Sequence, residues 1–499
     1  MLEAYISLGL RLKKALFING VWQDSTSQET YSRVNPAILE EKLGEFQKGT
    51  ALDVKKAIDS AEDACSKWAD TSPPERAKFL LKAVDLLVRQ KEELSQIITR
   101  EMGKSLSESR DEVQQAIDLV YYIAGEGRRL LGHTTTSEKT GKFAFTLRLP
   151  IGVVGLITPW NFPVLIPARK IFYSLVCGNT VILKPSSEAP MSACQLMKIL
   201  QQSGIPEGVV NMVTGPGEVV GNAMVTDKRV RLVSFCGHKD TGSKIMRDAG
   251  PKRVSLELGG KNPLIIMDDA DLEQASEAAV RGGYATTGQR CTASSRVIVH
   301  EKVKSRVERL VVEKIRKLKL GSGFDPETDI GPLVNEKALN KTQQYCQIGL
   351  EEGAKLLVGG KPPAGLKGWF FEPTLFTDCT SEMLICREEI FGPIVAVLSA
   401  RNLGEAIDLA NGVEYGLSSA IYTSSMQSAF TAVKKLQAGL TYVNHPTIGG
   451  EAHLPFGGVK YSGNNRESGA EGVNEYTELK TAYVNYSSVA GLDVNRGAP

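Results

Sequence analysis

Apolar positions along this chain follow two different periods. Near the N-terminus they fall at Val54, Ile58, Ala61, Cys65 and Trp68. A spacing of three or four residues predicts an amphipathic helix with one buried stripe. Pro73 and Pro74 end that segment, and Pro74 starts a second predicted helix through Phe79, Val84 and Leu87, a position where the missing N–H costs nothing. A third helix is predicted over residues 107–130. All three read as core-facing scaffold without chemistry.

After Pro150 the period shortens. Residues 153–157, 180–183, 209–213, 232–235 and 254–258 are β-branched, apolar runs, and the polar segments 187–202 and 239–248 between them suit helices. This alternation, reaching to about Leu320, predicts an α/β fold with a parallel sheet covered on both faces. In such sheets ligands bind where the carboxyl ends of the strands open into loops. Two stretches break the pattern. Residues 133–149 alternate around Phe143, Phe145 and Leu147 and predict an inserted hairpin, and residues 479–486 predict a last strand before a polar tail. No internal repeat is present.

A chain of 499 residues exceeds what one hydrophobic core organises, so two or three domains are expected. Its 42% hydrophobic and 23% charged content is that of a soluble globular protein. A net charge of +2, from 59 basic and 57 acidic residues, offers no electrostatic reason for nucleic acid or a membrane surface as partner. No apolar run reaches the roughly 18 residues of a membrane span. The segment 1–16 lacks a signal-peptide core, carries Glu3 and is poor in arginine, and reads as an ordinary extension. Eight cysteines without a CxxC pair, and five histidines without ligand spacing, predict a reduced, cytoplasmic protein with no metal.

Three segments carry candidate chemistry. Gly288-Gln289-Arg290-Cys291-Thr292 places a cysteine in a glycine-containing loop, and Leu256-Glu257-Leu258-Gly259-Gly260-Lys261 places a carboxylate at a strand end. Together they can supply a thiolate nucleophile and a base that activates water. Pro159-Trp160-Asn161-Phe162-Pro163 offers an amide for an oxyanion. Two glycine turns follow strands. The run from Gly215 through Gly217 to Gly221 approximates a dinucleotide fingerprint with its last glycine one residue late, and reads equally as a helix-initiating turn. The run from Gly237 through His238 to Gly242 opens a helix whose N-terminal amides suit a diphosphate. Lys184, in Lys184-Pro185-Ser186-Ser187-Glu188, can meet ribose hydroxyls or a phosphate.

These motifs, with Glu388-Glu389-Ile390-Phe391-Gly392-Pro393 and Pro455-Phe456-Gly457-Gly458, resemble the aldehyde dehydrogenase superfamily from about Phe17 to Tyr486. The resemblance implies a Rossmann-type cofactor domain (1–131 and 150–258), an α/β catalytic domain (259–476), and a small β oligomerisation element (132–149 and 477–499) of a homodimer or homotetramer. It implies Cys291 as nucleophile on a small-molecule aldehyde, Glu257 as deacylating base, and Asn161 with the Cys291 amide as oxyanion hole. Glu389 is expected on the nicotinamide ribose, Phe391 at the nicotinamide end, Trp160 and Lys184 on the adenosine side. Gly217, Gly221, Gly237, His238, Gly242 and Leu258 complete the expected NAD(P) contacts.

Departures from the family pattern bear on specificity. NAD-preferring relatives commonly carry a glutamate where Ser187 stands, and its absence leaves Lys184 free for a ribose phosphate, so NADP is the expected preference. Glu188 is the complication, since a rotated loop would let it substitute. Cys236 and His238 replace the threonine and serine of relatives, and His238 would either donate to the diphosphate or crowd it. The stretch after Cys291 most resembles α-ketoglutaric semialdehyde (2,5-dioxovalerate) dehydrogenases, with Arg290 and His453 as candidates for attracting a distal carboxylate. The alternatives are a CoA-acylating semialdehyde dehydrogenase and a non-catalytic protein on the same scaffold. Retention of Glu257 argues against the former and intact Cys291, Glu257, Asn161 and Glu389 against the latter.

Overall fold

The computed structural model describes residues 16–486, so the N-terminal extension and the polar tail lie outside the described residues. All five strands expected after Pro150 form. Arg253–Glu257, Val230–Cys236, Val153–Ile157, Thr180–Lys184 and Val210–Met212 lie side by side in that order, all parallel. Their registers pair Ile157 with Phe235 and Lys184, and Cys236 with Glu257, so the carboxyl ends of four strands meet at one edge. The sheet is not wholly parallel as expected. Leu16–Ile18 and Val21–Gln23 extend it to seven strands through antiparallel pairing, Phe17 opposite Met212. Three residues per strand are too few to display a period, which is why the pattern did not reveal them.

Helices cover both faces. Ala51–Asp70 starts at a capping box in which Thr50 and Asp53 satisfy one another's backbone donors, and its Val54, Ala57, Ile58 and Ala61 pack beneath Val153, Ile182 and Val233. Pro73–Arg89, Leu165–Val176 and Pro190–Gln202 cover the other face around Phe172, Leu183 and Leu196. The helix expected over 107–130 is Leu106–Glu126, and a further one, Lys91–Met102, precedes it, ending where Gly103 turns left-handed at φ 95°.

A second seven-stranded sheet follows, ordered Lys355–Val358, Thr374–Thr377, Ile394–Ala400, Arg296–His300, Pro263–Ile266, Ser418–Tyr422 and Leu440–Val443, with only the first pair antiparallel. It has its own two cores, around Ile298 and Phe376 on one face and Leu264 and Val297 on the other. The expected hairpin and last strand pair with each other: Thr134–Thr135, Lys142–Pro150 and Thr477–Asn485 form one antiparallel sheet. Val473 and Tyr476, just before that strand, pack back into the first core, with Tyr476 stacked on Tyr173. Among the described residues no helix is long and apolar enough to cross a membrane.

Phe172 is fully buried at the centre of the first core. Phe172→Ala is expected to cost about 3–5 kcal/mol, read as a lower denaturant midpoint of unfolding; an unchanged midpoint would contradict tight packing there.

Candidate active site

The cysteine loop connects the helix Leu272–Tyr284 to the strand Arg296–His300 through a tight turn. Thr286 and Thr287 sit at φ 53° and 59°, a left-handed conformation that β-branched residues adopt only when surroundings impose it. Glu108 accepts from the Thr286 N–H and hydroxyl at 2.7 and 2.9 Å, and Thr287 donates to the Gly331 carbonyl at 2.9 Å. Gln289 is buried, and its side-chain oxygen accepts from Val334 N–H at 3.0 Å. Two amides then fix the loop near the cysteine. Asn161 Nδ2 donates to the Gln289 carbonyl at 3.0 Å, and Asn262 Nδ2 to the Cys291 carbonyl at 2.8 Å.

Gly260 has no room for a side chain against the Cys291 backbone, and a side chain at Gly259 would displace the Glu389 carboxylate. A Cβ on Gly260 would lie 2.4 Å from the Cys291 carbonyl oxygen, and one on Gly259 would lie 2.1 Å from the Glu389 carboxylate. Glu389 accepts from the Gly260 N–H at 3.0 Å. Phe391, at φ 61°, presents its ring edge-on to Trp160 at 5.5 Å.

Two cavities meet at Cys291. The larger, about 280 Å³, is walled by Trp160, Asn161, Gly237, His238, Leu258, Glu389 and Phe391. The smaller, about 110 Å³, is walled by Phe162, Arg169, Glu257, Arg290, Glu451 and Phe456. Cys291 and Cys236 line both. The structure therefore gathers Cys291, Asn161 and Glu257 around one point, with Trp160 beside Phe391 and Glu389. His453 does not line the smaller cavity; it is exposed and lies 3.3 Å from Glu451. Arg290 does line it, held by Thr286 at 2.8 Å and Glu108 at 3.2 Å over the Phe162 ring.

The charges beneath the cavity were not legible in the motifs. Arg169 and Lys170 project from the buried helix Leu165–Val176, and Glu467 arrives from a distant loop. Lys170 pairs with Glu467 and donates to Ser234 Oγ at 2.7 Å. Arg169 stands 3.5 Å from Glu257 and 3.6 Å from Glu467, with its guanidinium over the Phe456 ring. Glu257 is 2% exposed and its Oε1 has no protein partner. Burial, then repulsion from Glu467, push its carboxyl up to about 8. Burial opposes ionisation of Glu467 too, but Lys170 and Arg169 hold it below the ordinary carboxylate range. Burial, reinforced by Glu257 and Glu389, pushes the Cys291 thiol up to about 12, contrary to the lowered pKa expected of a nucleophilic cysteine. A thiol so placed must hand its proton to a neighbouring base before it attacks.

The Asn161 loop has its own buried support. Lys104 pairs with Glu112 at 2.6 Å, donates to the Asn161 carbonyl at 2.8 Å and lies 4.1 Å above the Phe162 ring, while Glu112 accepts from Val164 and Leu165 N–H.

At the other end of the sheet edge, Lys184 is buried and donates to the Pro185 carbonyl at 3.0 Å; burial pulls its ammonium down to about 8. Ser187 donates to the Gly215 carbonyl at 3.1 Å. Gly217 and Gly221 bound a short helical turn running into Asn222–Thr226 and do not line the larger cavity. Gly242 packs under Leu258 within the helix Lys239–Asp248. His238 caps that helix, its Nδ1 accepting from Asp240 N–H at 3.3 Å. That acceptor role needs a neutral ring, and burial lowers the His238 pKa accordingly. Among the described residues no cluster could hold a metal ion.

The aldehyde dehydrogenase family model matches residues 22–482. The chain is similar to an α-ketoglutaric semialdehyde dehydrogenase of Bacillus subtilis, 38% identical over 475 residues that span 94% of this chain and 97% of that protein. An α-ketoglutarate semialdehyde dehydrogenase of Haloferax volcanii is 41% identical over 478 residues, spanning 94% and 98%. A betaine aldehyde dehydrogenase from Staphylococcus aureus, solved in complex with NAD+, superposes with a TM-score of 0.96 at 35% identity, covering 100% of this chain and 99% of that one. Similarity that runs the length of the chain, in sequence and fold alike, means that the chain belongs to the aldehyde dehydrogenase family and oxidises aldehydes with NAD(P)+.

Proposed function

We propose that Cys291 is the nucleophile, Glu257 the base and Asn161 the oxyanion donor in the oxidation of a semialdehyde bearing a distal carboxylate. The observation that carries the reading is the meeting of two cavities at one sulfur, so that a cofactor and a substrate reach Cys291 from opposite sides. The larger cavity fits a dinucleotide's nicotinamide end: its walls are aromatic and apolar, and Glu389, buried against Gly260, offers a carboxylate to ribose hydroxyls. Glu389, Phe391, Trp160, Leu258, Gly237 and His238 would hold that end. Gly242, Lys184 and Ser187 serve the remainder, and Gly217 and Gly221 only shape the neighbouring turn.

Glu257 removes the Sγ proton, and the thiolate adds to the aldehyde carbon to give a thiohemiacetal. Asn161 Nδ2 spends one hydrogen on Gln289 and keeps the other for the oxyanion, beside the Cys291 N–H. The bound cofactor supplies the hydride acceptor that oxidation to the thioester requires. Once Glu257 has passed the Sγ proton to solvent it deprotonates water; the hydroxide adds to the thioester carbon, the C–S bond breaks, the acid leaves, and Sγ departs as a thiolate and is reprotonated. Arg169 and Arg290 in the smaller cavity support an anionic substrate, in keeping with the two semialdehyde relatives. Ser187 without a carboxylate supports NADP as the preferred acceptor.

The separate cores support the division into cofactor (1–131, 150–258), catalytic (259–476) and oligomerisation (132–149, 477–499) parts. Phe143, Leu147, Leu149, Leu479 and Tyr483 are exposed on the small sheet, which supports a homo-oligomer built through it. A cytoplasmic location accords with eight free cysteines.

Three outcomes follow. Glu257→Gln should slow both the first turnover and the steady state of cofactor reduction by about a hundredfold or more, because the thiol and the water lose the same base; turnover at the wild-type rate would remove Glu257 from both roles. Since the base must be ionised and its carboxyl is raised, kcat should climb as pH rises through about 8, and a profile flat from 6 to 9 would contradict this. Cofactor reduction with α-ketoglutaric or succinic semialdehyde should show higher kcat/KM with NADP than NAD, and Ser187→Glu should reverse that order by about tenfold or more; a wild-type preference for NAD and uncharged aldehydes would overturn both specificity assignments.

A further inference from the structure

The loop 184–190 is held against a strand that its sequence neighbourhood does not contain. Arg33, from Thr30–Asn35, reaches Glu188 with Nη1 2.6 Å from the carboxylate. Both side chains are sheltered, at 11% and 28% exposure, so this pair is screened less than an ordinary surface contact. Arg33 Nε and Nη2 are buried without protein partners, so its charge is directed to Glu188 rather than spread over backbone carbonyls. Glu188 in turn lies close enough to Lys184 to act on it electrostatically. Tyr31, on the same strand, lies beside Ser187. The Ser187 hydroxyl is already committed to the Gly215 carbonyl.

We propose that Arg33 is a specificity-determining positioning residue, which lets the site take a dinucleotide with a phosphorylated ribose by neutralising and retaining Glu188. The proposal rests on Lys184 and Ser187 forming the adenosine-ribose end, and goes beyond it by naming a residue about 150 positions earlier in the chain. The physical reason is charge. A ribose phosphate brings close to two negative charges, and an uncompensated carboxylate one residue from Ser187 would repel it while welcoming a ribose hydroxyl. Paired with Arg33, the same carboxylate is largely neutralised and tethered, so it repels a phosphate less, and Lys184 keeps its charge for the phosphate.

The test is fluorescence titration of the full-length protein with NADPH and with NADH. Arg33→Gln should weaken NADPH binding about tenfold while changing NADH less than about twofold. Arg33→Lys should preserve the wild-type ratio of affinities, and adding Glu188→Gln to Arg33→Gln should restore NADPH binding. Equal weakening of both cofactors, or an unchanged ratio, would overturn the proposal. So would a loss of NADPH affinity that persists in the double variant, which would put Arg33 on the phosphate itself. Lys184→Ala separates the two levels. If it weakens NADPH and Arg33→Gln does not, only the role of Arg33 fails; if it alters neither affinity, the assignment of the ribose end fails with it.

Discussion

The backbone on either side of Cys291 is clamped from two directions, and the remaining architecture serves that clamp. Asn161 holds the Gln289 carbonyl from a loop of the first sheet, and Asn262 holds the Cys291 carbonyl from the second. Two hydrophobic domains that fold around separate cores are thereby set in register to within a hydrogen bond. The left-handed Thr286 and Thr287 show that the chain does not take this path by its own preference. Glu108, Gly331 and Val334 hold it there through hydrogen bonds. The Cys291 carbonyl approaches Gly260 more closely than any side chain there would allow.

Reactivity at this centre comes from burial as much as from residue identity. Glu257 would be an ordinary weak base in water. Surrounded by protein and facing Glu467, it becomes a much stronger one, while Arg169 and Lys170 keep the second carboxylate ionised. A cluster of four buried ionisable groups, three of them charged near neutral pH, is a poor source of stability, since desolvation consumes most of the attraction. It persists because the rigid helix Leu165–Val176, buried along its whole length, carries both cations.

The sequence was most readable where signals were local. The five parallel strands show as β-branched runs because they are buried on both faces, and Cys291, Glu257 and Asn161 stand out because their glycine and proline neighbours mark tight turns. The edge strands Leu16–Ile18 and Val21–Gln23 are too short to carry a pattern. The helix Lys91–Met102 did have one, with Leu94, Ile98 and Met102 buried on a single stripe, yet it passed unread between stronger neighbours. Arg169 and Lys170 stand in an apolar stretch with nothing local to mark their partners. Of the two residues expected to attract a distal carboxylate, Arg290 lines the smaller cavity and His453 does not, while Arg169, unmarked by any motif, lines it as well. Long-range charge pairing leaves no local trace, so only the folded chain reveals it.

The same long range sets an order of events during synthesis. Lys170 and Glu467 are 297 residues apart, so at 5–20 residues per second the ribosome delivers the lysine roughly 15–60 s before its counter-ion. Through that interval a nascent first domain would hold Arg169 and Lys170 with Glu257 as their only nearby carboxylate, and would gain little by burying them. The ion pair of Lys170 therefore waits on a segment translated late, and the repulsion that Glu467 adds to burial at Glu257 arrives with it.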